Sequence, residues 1–358
     1  MKKIVIFDWG GVILKEFPNH YCDRDAIAET FRKFVPPTPI VAKRHTVLKG
    51  SMRYFDTVYV DDPDQISKLK RPDKSSACGT LVVCLTDLPK WRNWFETEAI
   101  AATKKDRSLV VAIPGEISDL TDALLEIRRL NWVAMNVKEL RDDRIASREV
   151  AIRLAVATQA VRQHQSGILD PRPARLGGGG CKYVWNGEVI ALRTMRDVSV
   201  QFSDICDVLY PDAPVVRNEL VNKRVLSSQA AAARRILINL LNSPDSVALP
   251  RLGIEGYPPE RSIYESVVAM SGMHRCVNGR YVLSSPSGRS PSHLLPAWQT
   301  LERLVFDCKE PISLRALYDE LAKPPLGVLE GLAPILVAVF YAVNKNEVSF
   351  YAEGTFEP

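Results

Sequence analysis

A chain of 358 residues, 46% hydrophobic and 25% charged, can bury a sizeable core and has room for two or three domains. Its 47 basic and 42 acidic residues give a formal charge of +5, which admits nucleic-acid contact without requiring it. The seven cysteines (Cys22, Cys78, Cys84, Cys181, Cys206, Cys276 and Cys308) are widely spaced with no CxxC, which argues against a disulfide framework or zinc site and suits a reducing cytoplasm.

The chain opens MKKIVIFDWGG, where Asp8 interrupts the apolar run and no small-residue cleavage site follows, so no signal peptide is expected. Residues 4–7 read as a buried strand and Asp8-Trp9-Gly10-Gly11 as the turn after it. Ile27, Ala28, Phe31 and Phe34 fall at helical spacing, and three prolines in Val35–Pro39 mark a linker. His45–Val60 is β-rich around Gly50-Ser51 and predicts a hairpin.

An alternation follows: strand Leu81–Leu85, helix Lys90–Thr103, strand Leu109–Ile113, helix Ile117–Leu130 and a short strand Trp132–Val137. Wholly apolar strands separated by helices predict a small parallel sheet covered on both faces. A helix over Arg148–His164 leads out of it. PRPARLGGGG (171–180) reads as a flexible linker, and Asn186-Gly187 as the turn of a hairpin between Lys182–Trp185 and Glu188–Leu192.

Helices are expected over Val215–Lys223, from the Ser227/Ser228 cap to Asn242, and from Pro259 to Ser271, followed by a hairpin across Asn278-Gly279. The order repeats: Ala297–Phe306, Leu314–Leu321 capped by Ser313, Val328–Val343, then strands across Glu353-Gly354. Helix, helix, helix, hairpin is the order of a winged helix, so tandem winged-helix units are expected. The longest apolar run, Leu332–Val343, is too short to span a bilayer, and no membrane is expected as a partner.

Two resemblances bear on function. IVIFDWGGVIL, within residues 4–14, resembles the first motif of haloacid-dehalogenase (HAD) hydrolases. That resemblance implies Asp8 as a phosphoryl-attacking nucleophile and magnesium ligand, with Thr86, Lys105, Glu116 and Asp119 supplying the later motifs. Gly10 stands where many members carry a second Asp. The second resemblance covers about 45–358, through RYFDTVYV, SDICDVLYPDAPVVRNELVNKRVLSSQAAAARR, LGIEGYPPERSIYES and EVSFYAEGTFEP. It is to an internal and C-terminal region of large bacterial P-loop ATP-binding proteins of phage-defence islands, of BREX or Pgl type. It implies a cytoplasmic assembly working on or near DNA with protein partners in a multiprotein complex. The sequence has no GxxxxGK[ST]; GGGGCKY (177–183) lacks the Ser or Thr that would hold magnesium and precedes a hairpin.

A basic cluster, Arg217, Lys223, Arg224, Arg234 and Arg235, reinforced by Arg261, Arg275 and Arg280, suits contact with a DNA backbone. The third helix, with Glu260 and Glu265 beside Arg261, is a poor groove reader, and APILVAVFYAV must be buried. His20, His45, His164, His274 and His293 stand apart without ligand spacing and read as surface or turn residues. The expected organisation is an α/β chain: a HAD-motif-like segment (1–35), a small parallel-sheet domain (36–170), a glycine-rich linker and hairpin (171–195), and two winged-helix-like units (196–290 and 291–358). The expected function is nucleic-acid or partner binding without a cofactor. The alternative is a magnesium-dependent phosphohydrolase, so whether the chain is an enzyme stays open.

Overall fold

The computed structural model describes residues 3–7, 12–16, 27–69, 77–86, 89–115, 117–137, 140, 142–165, 167–222, 226–352 and 355–357. Asp8, Glu116, Lys223 and Arg224 lie outside them. In chain order come β1 (Lys3–Phe7), β2 (Val12–Glu16), α1 (Ile27–Phe34), β3 (Ile40–Val41), α2 (Lys43–Lys49), β4 (Tyr54–Val60), α3 (Asp64–Lys68), β5 (Gly79–Cys84), α4 (Pro89–Lys105), β6 (Leu109–Ile113), α5 (Ser118–Asn136), α6 (Arg144–Gln165), β7 (Lys182–Trp185) and β8 (Glu188–Ile190). The remainder is mostly helical: α7 (Met195–Leu209), α8 (Glu219–Asn222), α9 (Ser228–Leu241), α10 (Pro244–Val247), α11 (Pro259–Ile263) continued by a π-helical stretch (Tyr264–Ala269), β9 (His274–Val277), β10 (Arg280–Leu283), α12 (Leu295–Phe306), α13 (Leu314–Ala322), α14 (Ala333–Val343), β11 (Phe350–Ala352) and β12 (Thr355–Glu357). The chain divides into two units, Met1–Ile40 with Tyr54–Ser199, and Val41–Arg53 with Val200–Pro358.

The first unit is built on a sheet ordered β3-β4-β5-β6-β7-β8. β4, β5 and β6 run parallel, as the apolar runs of β5 and β6 predict, while β4 joins them in place of the expected hairpin, and both faces are buried: Leu81, Val82, Val83, Val110, Val111 and Ala112 are all at most 1% exposed. On one face Val82, Val111 and Val184 pack with Phe95 and Ala99 of α4 and Ile66 of α3. The sheet is nevertheless mixed and not parallel throughout. β7 pairs antiparallel with β6, and β8 antiparallel with β7, across the positive-φ pair Asn186 and Gly187. The 182–190 hairpin therefore belongs to the sheet.

Residues 171–180 are correspondingly a packed connection where a flexible linker is expected. Gly115 N–H donates to Gly179 O at 2.9 Å and Gly180 N–H to Arg172 O at 2.7 Å. A Cβ at Gly178 or Gly179 would sit 2.1 Å from a carbonyl oxygen, so these glycines permit close backbone approach. Residues 132–136 continue α5 where a strand is expected, because Leu130, Val133 and Val137 keep helical spacing and pack with Ala146 and Val150 of α6. The expected 45–60 hairpin is instead α2 followed by β4. Gly50, at φ 77°, ends α2, so the Gly-Ser signal is a helix stop. β1 and β2 form their own two-stranded antiparallel sheet.

In the second unit α7 to α11 precede the β9-β10 hairpin and α12 to α14 precede β11-β12, so the two halves do not share the single order of three helices and a hairpin expected of tandem winged-helix units. One core serves both halves: Leu237 and Leu241 of α9, Ile263 of α11, Trp298 and Leu301 of α12, and Leu336, Val339 and Phe340 of α14 belong to a single cluster. Packing therefore crosses the expected boundary at 290. Trp298 meets Phe340 edge-on at 5.2 Å, and α14 is buried nearly all round, as its uninterrupted apolar sequence demands.

Residues 41–53 are pinned into this unit by polar contacts. His45 is fully buried, with Nδ1 2.7 Å from Asp207 Oδ1, so it is no surface histidine. Arg44 pairs with Asp204 and Asp207. Arg53 lays its guanidinium 4.2 Å over the Tyr210 ring and donates to Gly327 O. Burial lowers the His45 pKa against the opposing Asp207 hydrogen bond.

Candidate nucleic-acid interface

The β9-β10 hairpin places two exposed arginines of the second unit on one face. Its turn, Asn278 at φ 51° and Gly279 at φ 78°, has the left-handed backbone that Asn-Gly supplies. Arg275 opposes Val282, and Val277 opposes Arg280. Side chains alternate across a strand, so these four residues share one face, and all four are exposed. Neither arginine has a hydrogen-bond or ionic partner among the described residues.

The opposite face is anchored. His274 is buried, its Nδ1 2.7 Å from the Tyr264 hydroxyl and its Nε2 2.9 Å from Val247 O. A carbonyl only accepts, so Nε2 carries the proton and Nδ1 accepts from Tyr264 O–H. Burial lowers the His274 pKa and pushes the Tyr264 hydroxyl up to about 12, which keeps both neutral at ordinary pH. The Tyr281 ring lies 5.2 Å from the His274 ring and Leu283 packs on the core, so the hairpin is held rigidly by its inner face.

The basic residues nominated on the helices are used unevenly. α9 is capped by Ser227, whose hydroxyl accepts from Ala230 N–H at 3.2 Å, and buries Ala230, Ala233, Leu237 and Leu241. Arg235 projects from its exposed side without a partner among the described residues. Arg234 donates to Glu330 O at 3.1 Å, and Arg217 to Leu48 O at 3.3 Å. On α11, Arg261 is occupied by Glu265 at 2.8 Å, by Gly256 O and by the Tyr257 ring at 4.3 Å. That helix offers little to a base edge.

The residues nominated for phosphoryl chemistry are not brought together among the described residues. Thr86 is buried just past the C-terminal end of β5, and Asp119 is exposed in the first turn of α5, beyond the same edge of β6. Lys105 ends α4 and lies beside Thr80 and Leu109, at the opposite, N-terminal edge of those strands. The strand that precedes Asp8 is in the separate β1-β2 sheet. No group of three or more His, Cys, Asp or Glu side chains is placed to hold a metal ion among the described residues. Burial raises the thiol pKa of Cys84 and Cys181, which keeps them protonated and poorly nucleophilic. No described helix is long and apolar enough to cross a membrane.

Arg275 and Arg280 are expected from the sequence only to reinforce the helical basic cluster, although their alternation with Val277 and Val282 around Asn-Gly puts them on one face. The His45-Asp207 pair carries no sequence signal, because 162 residues separate its members. No family model matches the chain, and no curated protein or solved structure matches it either.

Proposed function

We propose that the second unit grips a nucleic-acid backbone through the β9-β10 hairpin, with Arg235 of α9 adding a further contact, as the binding portion of a bacterial defence-type ATPase system. The observation that carries this reading is the outer face of the hairpin: two arginines without a partner among the described residues, alternating with two valines and backed by His274. Arginine forks suit phosphate oxygens, and the short apolar side chains between them suit sugar edges. On this reading the hairpin acts as a wing, in keeping with the winged-helix order expected from the sequence, and rides on the backbone. α11 has Arg261 occupied and Glu265 exposed, which favours backbone contact over base reading. The link to an ATPase assembly rests on the resemblance of 45–358 to the defence-island proteins.

The test is binding of the whole chain to a labelled DNA duplex across a series of salt concentrations. Replacing Arg275 and Arg280 together by Gln removes two phosphate contacts and should flatten the log K against log salt slope by about two units. Arg235→Ala should flatten it by about one more. A slope unchanged by all three substitutions overturns the reading and leaves the face to a protein partner.

The phosphohydrolase alternative has less behind it, because β1 stands outside the six-stranded sheet and Lys105 faces the edge opposite Thr86. It has a direct check. Magnesium-dependent hydrolysis of a generic aryl phosphate should be the same, at background, for the wild type and Asp8→Asn; loss of turnover only in the variant would restore that alternative.

A further inference from the structure

A cleft of about 390 Å³ opens in the first unit, at the N-terminal edge of the parallel strands. It arises from the register. Asp56 of β4 pairs with Thr80 of β5, which pairs with Leu109 of β6, and the next row inward is Val58, Val82 and Val111. α3 and α4 cover the inner row, and the outer row lies beneath the last turn of α4 and the end of α3. Val58, Ile66, Leu69, Ala102 and Leu109 make an apolar floor. The volume is in the range of about 300–1,000 Å³ usual for small-molecule sites.

The charged residues lining this cleft are mostly anionic. Asp56, Glu98 and Asp106 line it, against one lysine, Lys105, at the exposed rim. Asp106 is fixed in place: its Oδ1 accepts from Ser108 N–H at 2.8 Å and from the Ser108 hydroxyl at 2.7 Å. Glu98 is half-buried and has no hydrogen-bond or ionic partner among the described residues. The cleft also receives the C-terminal ends of α3 and α4, whose last carbonyls add negative partial charge. Floor and charged lining together call for an apolar body carrying one positive group.

We propose that this cleft binds a small organic cation, an alkyl amine or guanidine of a few carbons, with its charged head at Glu98 and its chain along Val58, Ile66 and Leu109. Lys105 in the lining repels the same cation and weakens binding. This inference is independent of the nucleic-acid reading, since every group it uses belongs to the first unit.

Three probes of matched length and different charge test it by amide chemical-shift titration of the whole chain: pentylamine, pentanol and pentanoate. Pentylamine should saturate shifts at Ile66, Thr80, Ala102 and Leu109, pentanol should bind more weakly, and pentanoate should not bind. Glu98→Gln should weaken pentylamine about fivefold with no change for pentanol, and Lys105→Gln should strengthen it. Ala102→Phe fills the cleft and should abolish binding, with an otherwise unchanged amide spectrum certifying the fold. Pentylamine that fails to saturate, equal binding of all three probes, or an affinity indifferent to both Glu98→Gln and Lys105→Gln overturns the proposal.

Discussion

His274 is neutral in the fold because each ring nitrogen has one role: Nδ1 accepts from Tyr264 and Nε2 donates to Val247 O. Protonation would force a second N–H onto the Tyr264 oxygen in a buried setting. Its folded pKa lies below the unfolded value of about 6.5. The unfolded state therefore binds the proton more readily, and stability from this group is complete above about pH 6.5 and drains away as pH falls toward the folded pKa. His45, lowered in the same direction, adds to the trend. The thermal midpoint should fall on acidification from pH 7 to pH 5. His274→Phe should cost about 2 kcal/mol by stranding the Tyr264 hydroxyl and Val247 O, and should reduce the pH slope; a slope identical to wild type would show that His274 does not titrate on unfolding. Nothing in MHRCV marks this histidine as buried, because its partners come from α10 and the π-helical stretch.

α2 shows how one residue decides an element. The sequence around Gly50-Ser51 suits a turn, and the glycine is indeed at positive φ, but it terminates a helix instead of joining two strands. A Cβ there would lie 2.1 Å from Val216 O, so space and backbone both exclude other residues. Gly50→Ala should destabilise the second unit by about 2 kcal/mol or more, read as a lower denaturant midpoint with unchanged slope. A neutral result would mean that the 41–53 segment contributes little to that unit. The β9-β10 hairpin is the contrasting case. Asn278-Gly279 between alternating residues is sufficient to predict the strands and the turn, and the resulting register puts Arg275 and Arg280 on one face. α5 lies between these extremes: its helical spacing was visible, but the β-prone Trp132-Val133 obscured its true length until α6 supplied a packing partner.

At the scale of the whole chain, the second unit is discontinuous, taking in residues 41–53 together with 200–358. A fragment of 200–358 alone loses the partners of Asp204, Asp207, Tyr210 and Gly327 O, as well as the Val216 N–H to Lys49 O bond. Such a fragment should unfold at a lower temperature and less cooperatively than the same unit in the full chain, by circular dichroism; an equal midpoint would make the inserted segment dispensable. Local pattern alone determined most of the longer helices, the parallel β5 and β6 strands, the two Asn-Gly hairpins and the burial of α14, because these follow from hydrophobic period, caps and turn residues a few positions apart. Only the tertiary structure decided that β7 and β8 extend the sheet, that a glycine run is packed instead of slack, that one core joins both helical halves, and that His45 meets Asp207. Those outcomes depend on which distant surfaces bury one another, and a one-dimensional pattern does not encode that choice.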